Sequence, residues 1–255
     1  MNDSLLNQLK LFFADFRKFD KKVIYIFLTA AFLHTISWYF VSINFFETSI
    51  DPSNSLNNLF GFLYWFAGDF VLLLIIPLLL IKYKFNGKIS DYGFSIKNRK
   101  FGSQLILTFF ILFIPVAWLL TSSEYFALNH PYLNSARTDF FIFLIFEIGM
   151  AFYIFAWEFF WRGFFLFGLE EKFGAYAILI QMLPFVFLHF GKPFGETIAS
   201  IFGALILGML AFKTRSFIYG FILHFLMMII LDVLSAVRLY VSKLENLAGS
   251  FLNNF

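Results

Sequence analysis

The sequence predicts an all-α membrane protein: a polytopic bundle of about seven transmembrane spans, preceded by an N-terminal amphipathic interfacial helix. Three observations carry this. The 255 residues are 60% hydrophobic and only 14% charged, with a mean hydropathy of +0.80, and a soluble domain of this size cannot hide so much apolar surface. The apolar residues gather in runs long enough to cross a bilayer. Lys and Arg then concentrate on alternate sides of those runs.

The first element is the interfacial helix, residues 1–21. Leu5, Leu6, Leu9, Phe12, Phe13 and Phe16 recur at helical spacing, accompanied by Lys10, Arg17, Lys18 and Lys21. This segment is too polar, and the run after it too long, for a cleavable signal peptide. The bundle follows over residues 22–240, with spans expected near 22–46, 59–81, 103–120, 139–167, 174–190, 196–212 and 217–239. Residues 241–255 form a C-terminal tail. The basic cluster Lys82, Lys84, Lys88, Lys97, Arg99 and Lys100 separates the second and third spans. Loops after the first and third hold only Arg137, so a cytoplasmic N-terminus puts most cations inside. The 43 Phe residues suit contact with lipid. Absence of Cys excludes disulfides, thiolate metal sites and cysteine nucleophiles.

The fourth span carries the first chemical motif. Thr138 or Asp139 can cap its start. Its length of about 48 Å exceeds the hydrocarbon, so it tilts or projects. Glu158 and Arg162 sit four residues apart on one face, Glu first, and largely neutralise each other. Such a pair can simply fix a helix, or the carboxylate can handle a proton or a water. Two histidines follow on later spans, His189 after Phe185, and His224.

Counting helical rise from the bends near Glu171–Gly174 and Thr214–Ser216 gives relative heights. Glu158, His189, Asp232, Glu196, Asp69 and His34 fall within a few ångströms of one level, about 20–25 Å up, and His224 comes out about 10 Å lower. Glu147 projects from the face of Glu158 three turns nearer the outside, where it is expected to meet water. Ser200, Ala204 and Gly208, four residues apart, suit close helix packing. Each lone ionisable group has a structural reading: Glu196 as a helix cap, Asp69 as an arginine partner or helix-break cap, His34 as a buried hydrogen-bonding histidine. Their convergence favours function.

These residues resemble the CPBP family, the CAAX-protease and bacteriocin-processing intramembrane proteases, over roughly residues 90 to 235. Glu158 and Arg162 match the second glutamate and the arginine of its EExxxR motif. Phe185 and His189 match FxxxH, and His224 matches the histidine of HxxxN. Asp91–Tyr92–Gly93, Gly191–Lys192–Pro193 with Glu196, and Lys213–Thr214–Arg215–Ser216 also look like family elements. Two positions depart: Trp157 stands where the first glutamate belongs, and Met228 where the asparagine does. The resemblance implies an intramembrane endopeptidase working on a peptide or membrane-protein substrate within the lipid bilayer. No cofactor, metal or nucleic-acid partner is expected, and no HExxH spacing supports zinc. In this reading Glu158 and His189 activate a water, His224 steadies the oxyanion, and Arg162 holds the glutamate. Glu196 and Asp232 form an alternative constellation, with Asp69 in support. Two rivals remain: a non-catalytic relative acting as a membrane scaffold or immunity-type binder, and a proton or solute pathway lined by Asp69, Glu158, His189 and Asp232.

Overall fold

The structure is a computed structural model describing residues 3–14, 18–50 and 59–252, with side chains to residue 245. Phe16 and Arg17 of the expected interfacial helix, and residues 253–255 of the tail, lie outside the described residues. Helix α1 spans Asp3–Ala14 and exposes Leu5, Leu6, Leu9, Phe12 and Phe13. Asp20 starts α2 (Lys21–Ile36) by accepting from the Lys22 and Val23 amides at 2.8 and 3.1 Å. A wide turn at Ser37–Val41 continues it to a break at Ser42. Helices α3 (Leu59–Lys84) and α4 (Arg99–Thr121) are the next two crossings.

Asp139 then caps α5 (Phe140–Glu158), accepting from the Phe141 and Ile142 amides at 2.9 and 3.0 Å. The helix widens to π geometry over Phe159–Phe165 and resumes as α6 (Leu166–Phe173). Gly174, at φ +55°, turns the chain back into α7 (Ala177–Phe187). The reversal is close: the Arg162 guanidinium lies 4.3 Å from the Phe185 ring centre. Helices α8 (Phe194–Thr214) and α9 (Ile218–Leu252) complete the bundle. The expected tail is therefore helical to Leu252, in line with the last span.

Among the described residues, six helical stretches are long and apolar enough to cross a membrane, and the helical membrane bundle is as expected. The count differs from seven because the expected fourth and fifth spans form one stretch, Phe140–Phe187, folded at Gly174. Its second arm, α7, has 11 residues, or about 16 Å, and does not cover the hydrocarbon alone.

Phenylalanine does more than face lipid. Phe159, Phe160, Phe164, Phe165 and Phe217 are fully buried, and Phe217 packs edge-on to Phe94, Phe155 and Phe159 with centroids 4.9, 5.2 and 5.3 Å away. In lipid such packing stands in for the missing water-driven attraction between helices, each pair contributing about 0.5–1.5 kcal/mol beyond its area.

His224 lies at the level of Glu158 rather than below it. In the turn that precedes its helix Thr214 and Ser216 are buried, while Arg215 between them is exposed and pairs with Glu170 beside the first bend. The turn satisfies its own polar groups: Thr214 Oγ1 donates to the Ser216 carbonyl (3.2 Å), and the Ile218 amide donates to Ser216 Oγ (3.2 Å). The Asp91–Tyr92–Gly93 loop reaches in to meet it. A Cβ on Gly93, at φ +84°, would lie 2.8 Å from the Phe167 ring and 3.0 Å from the Phe217 nitrogen. The expected gap of about 10 Å is absent all the same: His224 Nδ1 meets Glu158 Oε1 at 2.7 Å.

Candidate functional site

Glu158 ends the regular part of α5, just before the π turn, and is fully buried. Its Oε1 accepts twice, from Arg162 Nη1 at 2.8 Å and from His224 Nδ1 at 2.7 Å. Glycine at position 220 lets α9 come this close, since a Cβ there would lie 3.1 Å from Glu158 Oε2. Arg162 is also fully buried and lies over the Phe185 ring. Carboxylate and guanidinium neutralise each other, so His224 need only donate its Nδ1–H to the carboxylate. Its Nε2 then keeps the lone pair.

His189 lies just beyond α7, in the turn after Leu188. Its Nδ1–H donates to the Phe185 carbonyl at 2.7 Å, which also leaves Nε2 with the lone pair. Phe185 packs against both imidazoles, 4.6 Å from His189 and 6.3 Å from His224. His189 and His224 both line a cavity of about 280 Å³, whose wall also carries Trp157 and Met228. Glu158 is not in that wall and reaches it only through His224. No hydrogen bond joins Glu158 to His189 among the described residues. The two residues that depart from the family pattern thus face the cavity, while the carboxylate faces away.

A second polar group sits beyond the cavity. His130, fully buried in the loop before α5, points Nδ1 at Asp232 Oδ1 (2.9 Å) and Nε2 at Glu196 Oε2 (3.3 Å). Both ring nitrogens face carboxylates, so both donate and the ring is an imidazolium. Burial alone would lower the His130 pKa, but the hydrogen bonds and charges of Asp232 and Glu196 outweigh it and raise it. Glu196 Oε1 accepts from Lys192 Nζ (2.6 Å) and Tyr132 Oη (3.1 Å), and all three residues line the cavity. Asp232 also adjoins Glu147.

Of the residues expected at the site, Glu158, Arg162 and His224 form one bonded group, and His189 joins His224 at the cavity. Glu196 and Asp232 meet at His130 instead. Asp69 is elsewhere: its Oδ2 accepts from Trp65 Nε1 at 2.7 Å, in a neighbouring cavity with His34. Glu147 does not meet water; it is buried against Asp232 because the loop Asn134–Arg137 folds back onto α5. Sequence reasoning missed His130 and Tyr132. Their loop lies between spans, and only its return into the bundle gives them a role. Among the described residues, no three His, Asp or Glu side chains are placed to hold one metal ion.

Residues 139–230 match the family model described as Rce1-like, type II CAAX prenyl endopeptidase. No curated protein and no solved structure matches the chain significantly. The matched segment contains Glu158, Arg162, Phe185, His189, Glu196 and His224, and stops short of Asp232. The chain is an integral membrane helical bundle, and its resemblance to the CPBP family of intramembrane proteases is borne out over residues 139–230.

Proposed function

We propose that this protein is an intramembrane endopeptidase in which His224 is the base and buried Glu158 orients it. The observation that carries this is the 2.7 Å bond from His224 to Glu158 at the edge of a cavity that also holds His189. A water in that cavity donates its two hydrogens to the two Nε2 lone pairs, leaving an oxygen lone pair for the peptide carbonyl. As the oxygen attacks, its proton passes to His224 Nε2, and Glu158 stabilises the imidazolium. Collapse breaks the C–N bond and returns that proton to the departing nitrogen. The second water proton, hydrogen-bonded to His189, leaves through that imidazole and ends on the amine, so the products are a carboxylate and an ammonium. Glu158 therefore acts as a positioning residue rather than as the base that contacts water.

The N-terminus is cytoplasmic in this reading. Lys21, Lys22, Lys84 and Arg215 line one groove with Asp91, Glu170 and Glu171, and the positive-inside pattern, which counts Lys and Arg and gives little weight to carboxylates, supports placing this end inside.

The test compares peptide termini in membranes carrying wild-type protein, His224→Ala or His189→Ala, each at equal level. Termini present with wild type and lost with both variants support proteolysis. Identical termini in all three samples would refute it. A second reading has its own support, since Trp157 and Met228 put apolar groups on the cavity wall: a family relative that binds without cutting. It requires Glu158→Gln to complement a deletion fully.

A further inference from the structure

Beside the histidine cavity lies a second one of about 290 Å³, and the two share Trp38, Trp65, Tyr153, Trp157 and Leu188 as walls. Its floor is Asp69, 2% exposed on α3. Trp65 Nε1 satisfies Oδ2 at 2.7 Å, and Oδ1 is buried. The Ser37 side chain is the other hydrogen-bonding neighbour of this carboxylate, and like the indole it is neutral. No Lys or Arg pairs with the carboxylate among the described residues. The rings are mutually packed, Trp65 to Tyr153 at 4.9 Å and Tyr153 to Trp157 at 5.8 Å, so their positions are fixed before any ligand arrives. Of the 5 tryptophans in the chain, three border this space.

A buried carboxylate whose neighbours are neutral donors calls for a positive partner, and aromatic walls attract an organic cation through their π faces. A small hydrated metal ion is a poor match, because rings cannot replace its water oxygens. The remaining class is an ammonium on an apolar stem.

We propose that the Asp69 cavity is a subsite for an alkylammonium group, the side chain of a substrate lysine lying beside the bond held between His189 and His224. The assignment of that side chain to a substrate rests on the proteolytic reading; the binding of the cation does not. Asp69 supplies the charge, Trp65 holds the carboxylate in place, and the shared aromatic wall passes the stem from one cavity to the other. Trp157, at a position where the family carries a glutamate, then becomes a wall of a cation site.

The full-length protein, reconstituted in phosphatidylglycerol vesicles, is titrated with n-butylammonium while tryptophan emission is followed. Saturable quenching is expected, with no response to 1-butanol of the same shape. Asp69→Asn keeps the acceptor for Trp65 and should weaken butylammonium by about tenfold or more. His224→Ala should leave the titration unchanged. Circular dichroism and thermal melting confirm that each variant is folded. Quenching that does not saturate, that 1-butanol reproduces, or that Asp69→Asn leaves unaltered would overturn the site. A response to tetramethylammonium alone would assign the cavity to a choline headgroup and overturn the lysine assignment. If wild type cuts membrane proteins, the cut sites should be enriched in neighbouring lysine, and Asp69→Asn should abolish the enrichment. Cutting with no such enrichment would reject the substrate claim even with cation binding intact.

Discussion

Replacing Glu158 by alanine is the sharpest test of the buried centre. The side chain accepts from two donors at once, Arg162 at 2.8 Å and His224 at 2.7 Å, and all its surroundings are protein. Its loss strands a fully buried guanidinium whose Nε and Nη2 already have no partners. An unpaired buried charge costs about 3–5 kcal/mol, far above the value of a surface ion pair. Removing the charge as well, with Arg162→Met, keeps much of the packing on Phe185. The double variant Glu158→Ala/Arg162→Met should therefore recover most of the loss, with a coupling of about 2–4 kcal/mol. Unfolding in bicelles by steric trapping gives the four free energies of the cycle. Activity should not return with stability: the double variant leaves His224 without its orienting carboxylate and should stay about 10²–10⁴-fold below wild type. A Glu158→Ala cost under about 1 kcal/mol, or strict additivity in the cycle, would refute the account. So would recovered cleavage in the double variant.

Other consequences are equally direct. His189→Ala should lower cleavage by about 10²-fold or more with little change in unfolding free energy, since only one bond to the Phe185 carbonyl is lost; a kinetic and stability pair of measurements checks both halves. The His130 pKa is raised above its ordinary 6.5, so its contribution to stability is complete below that value and fades as pH climbs through the folded one. Stability should accordingly decline as pH rises above about 6.5, and His130→Gln should flatten that slope; an unchanged slope would count against the imidazolium. Gly93→Ala places a Cβ 2.8 Å from the Phe167 ring at φ +84° and should destabilise by about 1–3 kcal/mol, whereas the same change at half-buried Gly203, where nothing lies within 4 Å, should be near neutral or stabilising.

How much of this was legible beforehand differs by kind. Crossings followed from apolar runs alone, because bilayer thickness sets their length. The Glu158–Arg162 pair followed from a four-residue spacing, which a helix converts into contact. The level of His224 did not follow, since rise counting assumes upright helices of uniform pitch, and the stretch carrying Glu158 widens to π geometry over Phe159–Phe165. The facing of Glu158 away from the cavity was also hidden. Positions 157 and 158 differ by about 100° around the axis, and only packing decides which one meets open space. His130 carried no periodic signal at all; a loop residue gains partners only when the loop folds inward.

One feature of the cavity bears on how it fills. Its outer wall includes Trp38 and Phe190, 72% and 65% exposed on the lipid-facing surface, while Tyr132 and Lys192 close it toward the loop side. In the proteolytic reading, a guest then arrives sideways, having already partitioned into the membrane. Occupancy would be governed by the number of guest chains per unit area of bilayer, and a peptide dissolved in water would be a poor competitor however abundant it is.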